Sequence, residues 1–149
     1  MCWTISLIKL KIFISSDHAG FILKNYIFEN LKRRNHKIID LGPLSDKSVD
    51  YPIFAKKLAN KVSKNKTSFG ILICGSGTGM AMAANKVKNI RAAVCYNVKN
   101  TKLSRLHNNA NIITVGSRLT SKNLALKLVS IFLKTKFEGG RHLRRIKKI

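Results

Sequence analysis

A chain of 149 residues with 45% hydrophobic content suits one domain with a sizeable core. Twenty-nine Lys and Arg against six Asp and Glu give a formal charge of +23; this favours anionic ligands, but the lysines are spread along the whole chain among asparagines and isoleucines. That spread reads as a compositional habit on solvated surfaces, and nucleic acid is not the expected partner; only 141–149 is dense enough to form a basic patch.

The elements follow in order. Ile8–Ser15 alternates and then turns fully apolar, as a buried strand does, and ends at Ser16-Asp17-His18-Ala19-Gly20. Phe21–Arg34 carries Phe21, Leu23 or Lys24, Ile27, Phe28 and Leu31 at helical spacing. A second strand, His36–Leu41, is closed by Gly42-Pro43. Asp50-Tyr51-Pro52 opens the next helix, with Asp50 as N-cap and Pro52 tolerated in the first turn. Phe69–Cys74 is a third strand, followed by a glycine turn and an Ala/Met-rich helix. Ile90–Cys95 is the fourth strand, Val98–His107 its helix, Asn111–Val115 the fifth strand and Lys122–Thr135 an amphipathic helix.

Strands alternating with helices at this spacing predict an α/β fold, a parallel sheet covered on both faces. Ligands of such sheets lie beyond the carboxyl ends of the strands. That geometry gathers Asp17, His18, Tyr51, Cys74–Gly79, Tyr96-Asn97 or the nearby helix end at His107-Asn108, and Arg118.

The densest chemistry is Cys74-Gly75-Ser76-Gly77-Thr78-Gly79. Alternate glycines let successive backbone N–H groups turn inward on an anion, and amides beside a helix start can lower a cysteine pKa. The spacing is neither a dinucleotide fingerprint nor a Walker loop, and no acid occurs between Asp50 and Glu138 to hold a ribose. The bland alternatives are a tight turn and a buried thiol serving as a small hydrophobe, which is also the reading of Cys95. Cys2, Cys74 and Cys95 form no C-x-x-C pair, so neither a disulfide framework nor zinc is indicated, and a reducing cytoplasm fits. His18 could bind phosphate or move protons, or be a polar loop residue beside a capping Asp17; His107 could simply close a helix. His36 and His142 carry no comparable context, and no histidine pair has metal-ligand spacing. Arg141 and Arg145 stand at i and i+4, where two guanidinium groups could grip a phosphate or merely be solvated. Lys9 and Lys11 interrupt the apolar start, no cleavage site follows, and no run reaches membrane-spanning length, so a soluble protein is expected.

Taken together, Ser16-Asp17-His18-Ala-Gly-Phe21, Asp50-Tyr51-Pro52, Ile73–Gly79, Ala84-Asn85-Lys86, Ile90-Arg91-Ala92, Leu103–Asn108, Gly116-Ser-Arg118 and Phe137-Glu-Gly-Gly-Arg141-His142 resemble the type B ribose-5-phosphate isomerases, from about Ile8 to Arg145. The resemblance implies a Rossmann-like three-layer αβα domain with a five-stranded parallel sheet and a C-terminal helix. It implies interconversion of ribose 5-phosphate and ribulose 5-phosphate through an enediolate, with no metal or other cofactor. By the same resemblance Cys74 is the base and His107, helped by Asp17 and Tyr51, opens the furanose ring. The amides of Gly75, Gly77 and Gly79 with the hydroxyls of Ser76 and Thr78 hold the enediolate, Asn108 orients sugar hydroxyls, and His18, Arg118, Arg141 and Arg145 hold the phosphate. A homodimer, or a dimer of dimers, is implied, with residues 136–149 reaching a neighbouring subunit and 1–7 as an N-terminal extension. Ser76 replaces the threonine of many relatives and keeps the hydroxyl. The alternatives are a subunit of galactose-6-phosphate isomerase, or another hexose-phosphate isomerase, and, from another class, a basic RNA-binding module on the same fold.

Overall fold

Side-chain alternation along the strands puts apolar residues on both sides of one sheet, and two sets of helices cover them. The computed structural model describes residues 9–149; Ile8 and the whole expected N-terminal extension, 1–7 with Cys2, lie outside the described residues. The order is β1 (Lys11–Ser16), α1 (Phe21–Arg33), β2 (Lys37–Asp40), α2 (Tyr51–Lys64), β3 (Phe69–Cys74), α3 (Thr78–Ala84), β4 (Ala92–Val94), α4 (Val98–Leu106), β5 (Ile112–Gly116), α5 (Lys122–Lys134) and α6 (Arg141–Ile146). All strand pairs are parallel and the sheet order is β2-β1-β3-β5-β4. This is the expected α/β architecture.

Ile12, Ile14, Ile71, Ile73, Ile113 and Val115 face α1, α4 and α5 in one cluster. Phe13, Leu72, Cys74 and Ile112 face α2 and α3 in the other. The period of two in β3 therefore decides that the Cys74 side chain points to the side of α3, beneath the turn that follows it.

Element ends differ from expectation where side chains compete for the backbone. The fourth strand is expected to begin at Ile90, yet Ile90 N closes a turn on Val87 O, Arg91 N donates to Asn111 Oδ1 and Ala92 N to Asn85 Oδ1. These bonds take donors that a longer ladder would use, so β4 is three residues long. Asp50 occupies the N-cap of α2, but its carboxylate makes no capping bond. Asn97 caps α4 reciprocally with Asn100, and Ser121 caps α5.

Lys24 shows how tertiary structure overrides pattern. It lies on the inner side of α1, fully buried, with Nζ 2.8 Å from both Asp40 carboxylate oxygens and 2.7 Å from Pro43 O. Asp40 also accepts from Gly42 N at 2.8 Å. This pairing fixes the chain as it leaves β2 and enters the segment leading to α2.

Candidate active site

At the carboxyl end of the sheet, the turn after β3 curls back over its own cysteine. Gly77 N donates to Cys74 Sγ at 3.1 Å, and Thr78 N donates to Ser76 Oγ at 3.3 Å. An N–H aimed at sulfur stabilises negative charge there. Gly77 has φ +80°, and a Cβ on it would stand 3.0 Å from Val115 C, so a left-handed residue without a side chain is required. The Cys74 side chain is buried among Met80, Ala83 and Ala84, while Ser76 and Thr78 are exposed at the mouth.

Neighbouring strand ends close on this turn. Ser117 N donates to Cys74 O at 2.8 Å and Arg118 N to Gly75 O at 3.1 Å, which carries the Arg118 guanidinium over Gly75. Tyr51, first residue of α2, lays its ring edge against Gly79, where an added Cβ would stand 2.7 Å from Tyr51 Cε2. Asp17 N donates to Ile73 O, and the Asp17 carboxylate accepts from Gly20 N at 3.0 Å, so the acid shapes its own turn with one oxygen and keeps the other for a further partner. His18 Nδ1 accepts from Val49 N at 3.2 Å, which leaves Nε2 to carry the N–H. Asp17, His18, Tyr51, Cys74, the glycine turn and Arg118 thus form one rim.

His107 and Asn108 do not join it within one chain, contrary to the expectation that the strand ends would gather them. α4 runs antiparallel to the strands for nine residues, roughly 13 Å, and delivers both to the amino end of the sheet, where β5 begins. α5 returns the chain to that end as well. There His107, Asn108, His142, Arg145, Ile146 and Ile149 line a hollow of about 450 Å³. Arg141 lies at the start of α6, exposed, one helical turn from Arg145. The candidate residues therefore fall in two groups at opposite ends of the molecule.

The second group includes two residues, Glu138 and His142, that were not expected as site residues. His107 and His142 stack with ring centroids 4.2 Å apart and planes 13° apart. Glu138 Oε2 lies 3.6 Å from His107 Nε2 and 3.8 Å from His142 Nε2. Burial pushes the pKa of His142 down, assisted by His107, Arg141 and Arg145, with Glu138 opposing. The spacing Glu138 to His142, i and i+4, was the available signal; that His107 would meet them was not visible. Among the described residues these three form the one group of donors within 4.8 Å of one another that could hold a metal. Stacked rings, however, set their Nε2 atoms side by side, whereas metal ligands converge on one point. Cys95 behaves as a small hydrophobe, its pKa raised by burial against hydrogen bonds with Thr101 and Ser104.

Fold and rim together define a Rossmann-like α/β protein with a buried thiol beneath a glycine turn at the carboxyl end of its sheet. The chain belongs to the Ribose/Galactose Isomerase family, whose model matches residues 12–149. It is 42% identical over 139 residues to ribose-5-phosphate isomerase B of Escherichia coli, covering 93% of each chain. A crystal structure of ribose-5-phosphate isomerase B from Mycoplasma genitalium with bound ribulose-5-phosphate superposes with a TM-score of 0.90 at 49% identity, covering 93% of both chains. The enzyme of the same name from Clostridium thermocellum gives 0.91 at 47% identity, covering 93% of this chain and 94% of that one. Among the described residues no helix is long and apolar enough to cross a membrane.

Proposed function

We propose that the protein interconverts ribose 5-phosphate and ribulose 5-phosphate in the cytoplasm, as a homodimer whose two sites are each built from both chains. The observation that carries the chemistry is the Gly77 N–H donated to Cys74 Sγ at the end of β3. In this reading the Cys74 thiolate takes the proton from C2 of the open-chain aldose and returns it to C1. The enediolate oxygen formed meanwhile lies among the amides of Gly75–Gly79 and the hydroxyls of Ser76 and Thr78. A base and preorganised donors within one turn are what proton abstraction beside a carbonyl requires.

The remaining roles follow from the two half-sites. Asp17 and Tyr51 flank the turn, and the Nε2–H of His18 and the Arg118 guanidinium stand on the rim as donors for phosphate. His107, Asn108, Arg141 and Arg145 serve the partner's turn: His107 opens the furanose ring, Asn108 binds sugar hydroxyls and the two arginines complete the phosphate site. Residues 136–149 are the segment that reaches across, and 1–7 precede the single isomerase domain as an extension. The separation of the half-sites within one chain favours this arrangement over a self-contained site.

The experiment is an isomerisation assay with purified protein on ribose 5-phosphate, with and without chelator, beside the six-carbon galactose and allose 6-phosphates. Turnover of the pentose that survives chelation is the expected result. A clear preference for a hexose phosphate, or dependence on metal, would overturn the proposal.

A further inference from the structure

Glu138 is one of six acids in a chain with 29 basic residues, and it stands between two imidazoles. Its place is fixed by the backbone: Glu138 N donates to Leu106 O at 3.1 Å, the residue before His107. The same corner is tied by Arg105, which donates from Nε to Thr135 O at 3.0 Å and from Nη1 to Asn109 Oδ1 at 2.9 Å and to Ala110 O. The faces of Phe69 and Phe132 lie against its guanidinium. The turn after α4 and the segment after α5 are therefore joined into one unit, with the His107 ring on top of His142 and the carboxylate at the Nε2 edge of both.

At 3.6 Å the carboxylate is in electrostatic contact with His107 Nε2, just beyond hydrogen-bond distance, on a side chain that is 58% exposed. A carboxylate can accept from either ring, because each oxygen offers two lone pairs. His142, with 9% of its side chain exposed, is the stationary plate; His107, with 39% exposed, is the ring free to meet a ligand.

We propose that Glu138 is the positioning residue of His107, holding the ring by its Nε2 edge and fixing its tautomer while His142 holds its plane. This rests on the reading of His107 as the ring-opening residue. In that step the O1 hydroxyl gives up its proton, the C1–O4 bond breaks with its electrons going to O4, and O4 takes up a proton, leaving an aldehyde at C1. An imidazole that moves protons needs a defined tautomer and orientation, which a third group supplies. Ribulose 5-phosphate carries its phosphate on O5 and cannot close a five-membered ring on C2, so proton exchange at its C1 needs no ring opening.

The test is Glu138→Gln, with Glu138→Asp as the conservative variant, read in two assays. One is turnover of ribose 5-phosphate; the other is incorporation of deuterium from D2O at C1 of ribulose 5-phosphate. Glu138→Gln is expected to lower kcat for ribose 5-phosphate by about ten- to a hundredfold, with KM within about twofold and deuterium incorporation within about twofold of wild type. Glu138→Asp is expected to recover part of the loss. Unaltered turnover in Glu138→Gln, or an equal fall in both assays, would overturn the proposal. A wild-type protein inert in both assays would instead remove the reading of the parent function, and this inference with it.

Discussion

At the scale of single residues, reactivity and stability turn on which groups have partners. Cys74 accepts the Gly77 amide on its sulfur, a single bond within its own turn, so Cys74→Ala should keep the fold and phosphate binding and abolish turnover. Near-normal turnover in that variant, measured beside an unchanged melting temperature, would remove Cys74 as the base. Two histidines weaken the fold in acid. His36 and His142 both have their pKa lowered, chiefly by burial, and His36 Nδ1 is buried with no hydrogen-bond partner. Each therefore takes up its proton more readily in the unfolded chain, which binds more protons as pH falls below the ordinary histidine value of 6.5. Stability should be fully present above that value and decline below it, and denaturant midpoints at about pH 7.5 and about pH 5.5 check this. His142→Asn should flatten the decline. Cys74 and the glycines were legible in the sequence because their chemistry is local. Glu138, His142 and Lys24 were not, since each acquires its meaning from a residue brought close by the fold.

At the scale of elements, the sequence pattern located every strand and helix, and the boundaries of β3 agree to the residue because apolar Phe69–Cys74 meets glycine at once. β4 was over-extended because Asn85 and Asn111 side chains, rather than a strand, satisfy the backbone at 91 and 92. The turn after β3 is conformationally demanding. Gly77→Ala should cost about 2–3 kcal/mol, since a left-handed alanine is strained and its Cβ would press on the Val115 backbone, and a shifted denaturation midpoint would report it. The segment between β2 and α2, which carries Val49 to His18 and Tyr51 to Gly79, depends on the Lys24–Asp40 pair. Lys24→Met should destabilise by about 2–4 kcal/mol, less than a fully buried pair would lose, because Asp40 keeps 22% of its side chain in solvent. A variant as stable as wild type would show that this pair contributes nothing.

At the scale of the whole molecule, the direction of the helices decides the function. In a parallel sheet every crossover helix returns the chain to the amino ends, so residues at the start of a helix and residues at its end cannot serve one site in one chain. The family resemblance already implied that residues 136–149 reach a neighbouring subunit; that His107 and Asn108 stand with them, away from Cys74, follows from the direction of α4 and was not legible in the sequence. Cys74 lies at one end, His107 and Arg145 at the other, and the proposed homodimer brings one chain's His107 to the other chain's Cys74. The most direct measurement is isomerase activity after unfolding and refolding an equimolar mixture of two inactive variants, Cys74→Ala and His107→Asn. In a mixed dimer one site collects both lesions and the other collects none, so random pairing predicts recovery of about a quarter of wild-type activity. No recovery in a mixture that demonstrably contains mixed dimers would contradict the shared site.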